Sequence, residues 1–536
     1  MIIFASILVI SACSGSSSDD KDASNTGSSE DKSNKELVYL ATQDIATIDP
    51  AKHTDETSMH MVLNMYDPFI RPNVEEGTME PSPHIAESWN IDESGKVYEF
   101  KIREDVTFHS GNQLTADDVL YSIERMLAIG QGYSWLWDNV LTMDNIEKVD
   151  DYNIKITLDE PYAPLLSTFT QLLIVDSKLV KENQKDGEFG ENGDYGQEFL
   201  TENTAGSGPY MIKDWQRGSD IKLTAFEDYW RGWEDNQIKD IKYMVGVNEE
   251  ATHKTMLQSG EADFVDQWMS VESQLELGKQ DGIKLEEDPS SQLYHIIMNT
   301  QKPPLDDKNF RKAISYAFNY ELHNNEILGG ADQAQGPVPL LVPGHSDEAI
   351  VYNYDLEKAK QYLDQSKYAP DEYKIEYYYV ADIEEERKTG LLLQSNLKEL
   401  GIELELVGVP WTQITEITAD VSTTPHMIAT YDTLKYPHVD SHTYGLYHPS
   451  SHGSYRSASW YDNDEVTELL EKARAATDEE EQMNYYKEVQ NIVTDDAVSL
   501  FIANPTHRIV YNEDIDGYTY VGLLGYDTVF YDFKWK

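Results

Sequence analysis

Four of the fourteen histidines, His438, His442, His448 and His452, fall within fifteen residues at separations of four, six and four. Neutral imidazole is the commonest metal ligand, so a cluster this dense is a candidate metal site. Pro437, Gly445, Pro449 and Gly453 make the segment a loop, so a separation of four does not put two rings on one helix face. The alternative is a polar loop near the mouth of a cleft, and the sequence leaves both readings open. Other reactive constellations are missing: there is no Gly-x-Ser-x-Gly elbow, no His-Glu-x-x-His, no Cys-x-x-Cys and no phosphate loop. With 97 acidic residues any carboxylate pair is uninformative. The single cysteine, Cys13, excludes disulfides and cysteine catalysis elsewhere in the chain. No enzymatic turnover and no cofactor are expected.

The elements that must position any site read as an alternation of strands and helices. Residues 97–103 place Tyr98, Phe100 and Ile102 on one face and Val97, Glu99, Lys101 and Arg103 on the other, as a half-buried strand does. His109, Ser110, Gly111 and Asn112 supply a turn. Thr115 and Asp118 then form a capping box ahead of Val119, Leu120, Ile123 and Met126 at helical spacing. Gly206-Ser207-Gly208-Pro209-Tyr210 turns into a strand; no Lys-Ser/Thr pair follows, which excludes a phosphate cradle. A helix beginning near His253 stops at Gly260. Phe310, Ile314, Ala317 and Phe318 mark an amphipathic helix that Gly329 and Gly330 are expected to terminate. Residues 355–363 and 391–400 are further helices, the second closed by Gly401 and followed by a strand alternating through Ile402, Leu404 and Leu406. Two helical patterns over 466–493 and a strand over 497–502 complete an α/β class.

At 536 residues the chain exceeds the size of one core, so two or three domains are expected. Its 42 basic and 97 acidic residues give a net charge of −55, which excludes electrostatic attraction to nucleic acid or to an anionic membrane. The first thirteen residues form an apolar run too short to span a bilayer, ending in small residues and Cys13. Residues 14–36, almost without apolar side chains, cannot repay the entropy of folding and read as a tether.

The letters of residues 86–125 are more specific than their pattern. Glu87-Ser88-Trp89, Gly95-Lys96, Arg103, Phe108-His109-Ser110-Gly111 and Leu114-Thr115-Ala116-Asp117-Asp118-Val119 resemble the signature of extracytoplasmic solute-binding proteins of peptide and nickel ABC importers. Ile10-Ser11-Ala12-Cys13 likewise resembles a lipobox whose cysteine carries a diacylglyceryl group. The first resemblance extends over about residues 37–536. It implies a two-lobed periplasmic-binding-protein fold, type II and cluster C, with an extra inserted domain: lobe I from 37–75, 205–292 and 505–536, the inserted domain 76–204, and lobe II 293–504. It implies a monomer that captures short peptides and delivers them to the permease subunits of an ABC importer, held by its lipid on the outer face of the cytoplasmic membrane. A nickel or metal-chelate receptor and a surface sensor of peptide signals are the alternatives.

By the same resemblance the ligand cleft takes Gln43, Asp44, Tyr133, Trp135, Trp137, Trp268, Trp411, Tyr431, Asp432, Lys435 and Tyr436. Relatives hold the peptide ammonium with an aspartate in a Trp-x-x-Asp-Tyr segment. Here Lys435 stands at that place, ahead of Tyr436-Pro437, and Asp432 is the nearest acid and the favoured anchor. Because the tether separates anchor from fold, Cys13→Ala is expected to release the protein into the medium with unchanged ligand binding. Fractionation that finds the variant still on membranes would remove the lipoprotein assignment.

Overall fold

The computed structural model describes residues 35–73, 79–247 and 249–536. Cys13, the apolar run before it and the tether as far as residue 34 lie outside the described residues. Three sheets organise the rest. A seven-stranded sheet runs in the order Ile283–Pro289, Thr506–Asn512, Phe264–Val265, Leu37–Leu40, Asp240–Met244, Asp220–Ala225, Tyr210–Gln216. A six-stranded sheet runs Asp332–Gln333, Ser499–Asn504, Leu293–Met298, Met427–Asp432, Lys374–Val380, Glu403–Val409. The third has four antiparallel strands, Ala86–Ile91, Val97–Ile102, Asn153–Thr157 and Ile146–Asp150. The architecture is a mixed α/β one of two large sheets and an additional smaller one. Among the described residues no helix is long and apolar enough to cross a membrane.

The chain passes between the two large sheets twice. Strand Ile283–Pro289 leads through residues 290–292 into Leu293–Met298, and Ser499–Asn504 leads through Pro505 into Thr506–Asn512. The crossings are tied to one another. Asn504 Nδ2 donates to the Gln292 carbonyl at 3.0 Å, and Ser290 Oγ to the Pro505 carbonyl. Leu293–Met298 and Ser499–Asn504 are buried at every position, as central strands covered on both faces must be. Helix Lys308–Ala317 adds Phe310, Ile314 and Ala317 to the apolar cluster that holds Ile296 and Met298. Each large side chain removed from water there contributes about 1.5–3 kcal/mol.

Local chemistry explains the elements. Strand Val97–Ile102 buries Tyr98, Phe100 and Ile102 and exposes Glu99 and Lys101. Helix Ala116–Ile129 opens on the capping box: the Thr115 amide and hydroxyl donate to the Asp118 carboxylate at 2.9 and 3.2 Å. Helix Glu250–Ser259 ends on Gly260 with φ +74°, a left-handed geometry that glycine adopts without strain. Two expectations need correction. The helix through Phe310 does not run on to Gly329. It stops at Ala317, Phe318 is extended, and a second helix, Tyr320–Glu326, begins where the Asn319 side chain accepts from the Leu322 amide. The helix expected over 391–400 starts earlier, at Glu384, because Glu384, Glu385 and Glu386 suit the positive end of the helix dipole.

One buried ion pair ties the region of the four-stranded sheet to the segment that follows the first strand. Arg125, on helix Ala116–Ile129, grips Asp49 through both terminal nitrogens at 2.7 and 2.6 Å, and its Nε donates to the Tyr195 carbonyl at 2.8 Å. The two side chains are 1% and 2% exposed. Losing one partner leaves the other charge buried and unpaired, so Arg125→Met or Asp49→Asn alone is expected to cost about 3–5 kcal/mol. The double variant is expected to cost less than the sum of the two. Denaturant melts that give a fully additive double loss would show that the pair acts through packing rather than charge.

Candidate functional site

Strand Met427–Asp432 carries the chain into the junction between the sheets, and Leu434 and Lys435 just beyond it are fixed by their main chain. The Leu524 amide donates to the Leu434 carbonyl at 3.0 Å, the Lys435 amide to Ser441 Oγ at 3.0 Å, and Gln171 Nε2 to the Lys435 carbonyl. Two distant partners, Gln171 and Leu524, and one nearby, Ser441, thus hold the backbone that carries these side chains.

Asp432 does not face the junction as a free acid. Arg456 Nε and Nη2 meet its two oxygens at 2.9 and 2.7 Å, and Nη2 also donates to the Ser441 carbonyl. Its side chain is 1% exposed. Burial pushes the Asp432 carboxyl up, but Arg456, His442 and Lys435 overcome that and hold it well below the usual carboxylate range. The sequence favours Asp432 as an ammonium anchor; the structure engages both of its oxygens internally, through an arginine that the sequence reading passed over. Lys435 is 4% exposed, with Nζ 3.8 Å from Asp432 Oδ1 and 6.0 Å from the centre of the Tyr455 ring. Tyr436 turns inward, its hydroxyl donating to Asp440 at 2.6 Å, where Arg474 and Tyr486 also converge.

The aromatic candidates divide. Trp268 meets Tyr431 edge to face at 5.6 Å between the two large sheets, and Tyr431 stacks on Tyr294 at 4.4 Å. Trp411 packs edge-on against Tyr455 at 4.6 Å, and Trp135 lies 6.5 Å from Tyr436. The Tyr133 hydroxyl donates to the Thr54 carbonyl at 3.3 Å. Trp137 belongs to packing instead: fully buried, it donates its ring N–H to Thr168 Oγ1 at 2.9 Å and lies against Phe169. Gln43 is half-buried and Asp44 exposed, and neither hydrogen-bonds to residues 431–436 among the described residues. Cavities of about 50 and about 780 Å³ adjoin the crossings. Trp268, Tyr431 and Gln292 line the smaller, and Leu434, Pro437 and Ser291 the larger.

The four histidines are neither brought together nor placed on a polar loop. Residues 438–452 coil into short helical turns, and their side chains find separate partners. His438 accepts from the Asp440 amide, His442 Nε2 lies 3.2 Å from the Asp432 carbonyl, His448 stacks on Tyr444, and His452 Nε2 lies 3.1 Å from the Tyr461 carbonyl. Burial lowers His442 to about 4, which keeps it neutral near pH 7. Among the described residues no three metal-ligating side chains form a cluster.

Glu56 is a member of the junction that sequence reasoning missed. Gln267 Nε2 and Trp268 Nε1 donate to its two oxygens at 2.7 and 2.9 Å. Burial, with Asp527 and Asp266 nearby, pushes its carboxyl up to about 8 against those hydrogen bonds. Such a group holds its proton in the folded state where the unfolded chain has lost it. The stability it contributes is therefore complete below its ordinary value near 4.5 and is lost as pH rises to about 8. Glu56→Gln is expected to flatten the fall in stability across that window. Melting curves in which wild type and variant keep parallel pH profiles would refute the assignment.

Comparison with known proteins fits this architecture. The chain is 27% identical over 500 residues to the probable D,D-dipeptide-binding periplasmic protein DdpA of Escherichia coli, covering 91% of this chain and 92% of that one. It is 25% identical to heme-binding protein A of Haemophilus influenzae, covering 99% and 98%. The fold superposes with a TM-score of 0.83 on the ABC transporter-associated periplasmic binding protein DppA of Helicobacter pylori in complex with peptide STSA, at 25% identity and covering 93% and 98%. The two large sheets and the additional one are thus those of a periplasmic-binding-protein fold with an extra domain. The model of the bacterial extracellular solute-binding proteins, family 5, middle part, matches residues 80–454. The chain belongs to that family of extracytoplasmic, non-catalytic substrate receptors of ABC importers.

Proposed function

We propose that this receptor captures short peptides outside the cell and passes them to an importer by closing two lobes, as a monomer anchored through a lipid on Cys13. Lobe I would comprise 37–75, 205–292 and 505–536, the inserted domain 76–204, and lobe II 293–504. The observation that carries the reading is the junction itself. Two sheets, joined by two hydrogen-bonded crossings, meet through Trp268 and Tyr431, where ligand contacts made to both sides at once favour a closed state. Support for peptides comes from the dipeptide-binding relative and from the relative solved with STSA. Extended peptides present main-chain groups for strand-like pairing, which gives affinity with little dependence on side chains.

Titration calorimetry with di-, tri- and tetrapeptides tests capture, and small-angle scattering on the same samples tests closure. Saturating peptide is expected to reduce the radius of gyration. Heats indistinguishable from dilution would reject peptides, and unchanged scattering with clear binding would reject lobe closure.

A further inference from the structure

Taking the junction as the ligand cleft, as above, we propose that Lys435 receives a carboxylate of the ligand, so that no free ammonium is needed at this point. The ion pairs around it are unevenly shared. Among the described residues Asp432 is the one carboxylate within 4.0 Å of either Arg456 or Lys435, and it lies bidentate in the fork of Arg456. Lys435 Nζ makes no hydrogen bond among the described residues; its nearest acid oxygen, at 3.8 Å, is already taken. His295 and His442 lie in the same cluster and are held near 4 by burial, so they add no charge near pH 7. A second donor, Arg456 Nη1, is buried without a partner. Asp432 thus serves two cations in a space almost closed to water, and leaves Lys435 Nζ without a hydrogen bond and Arg456 Nη1 without a partner; buried donors left in this state are costly until an acceptor meets them.

The other acids near the junction do not fill this role. Asp55 is close enough for Lys435 to oppose the rise that burial imposes on its carboxyl, but its side chain caps helix Glu56–Met65 by accepting from the Ser58 amide, and it forms no ion pair with Lys435. Glu56 is bonded to Gln267 and Trp268 and carries its proton below about pH 8. The Lys435 main chain is fixed on both sides, by Ser441 and Gln171, so the ammonium is presented by a rigid support. An ammonium entering here would meet Lys435 and Arg456 as like charges, whereas a carboxylate would complete the cluster.

Trialanine, N-acetyl-trialanine and trialanine amide separate the cases by calorimetry. The wild type is expected to bind the first two alike and the amide at least about tenfold more weakly. Lys435→Met should abolish the difference between acid and amide, and Lys435→Arg should restore it. Melting temperatures report whether each variant folds. Tight binding of the amide with loss of binding on N-acetylation would overturn the proposal. If none of the three peptides binds, the peptide reading falls, and native mass spectrometry of the purified protein decides about Lys435 separately. An anionic co-purified molecule that Lys435→Met loses and Lys435→Arg keeps supports the proposal. A cationic molecule, retention by Lys435→Met, or no co-purified molecule overturns it.

Discussion

The bidentate contact between Asp432 and Arg456 fixes most of what happens at the junction. Arg456 bonds at once to the end of strand Met427–Asp432 and to the carbonyl of Ser441, so it staples the strand to the turn that receives the Lys435 amide. A buried pair of this kind recovers little more than its own desolvation cost. Its consequence is positional: strand, turn and lysine hold one geometry, and loss of either partner would leave a lone charge in the core. Gly445 belongs to the same constraint. A Cβ there would lie 2.5 Å from Arg456 Nη1, so the arginine fits because this position has no side chain.

Charge acts in opposite senses at two length scales. The whole chain carries −55, yet at the junction the cations Lys435 and Arg456 share one ion-pair partner, Asp432. At physiological salt the surface field decays over about 8 Å, so it governs the approach of a ligand more than its retention. Anions meet the protein more slowly than neutral solutes would, and one held at Lys435, as proposed above, would be bound by groups shielded from salt.

Regular local patterns were legible in the sequence because their causes are local. Alternation through Tyr98, Phe100 and Ile102, the capping box at Thr115 and Asp118, and the stop at Gly260 each depend on neighbours within a few residues. The break at Asn319 was legible in principle, since asparagine is a strong helix cap, but the glycine pair further on was the louder signal. The site was legible only in outline. Trp268 and Tyr431 do meet between the two large sheets, whereas Trp137 is a core residue whose ring N–H is satisfied by Thr168. Arg456 escaped notice because its partner lies twenty-four positions earlier and no periodicity links the two. The histidines misled for the complementary reason: closeness along the chain carries no information about convergence once the segment coils into short turns.

The position of strand Thr506–Asn512 has a consequence for synthesis. It lies inside the seven-stranded sheet, between Ile283–Pro289 and Phe264–Val265, so that sheet stays open until residues 506–512 have been made. Strand Ser499–Asn504, just before it, pairs with Leu293–Met298 in the other large sheet. Neither large sheet can complete its hydrogen bonding before these two strands have been made. Long-range closures of this kind fold slowly, so both large sheets reach their final pairing late in folding.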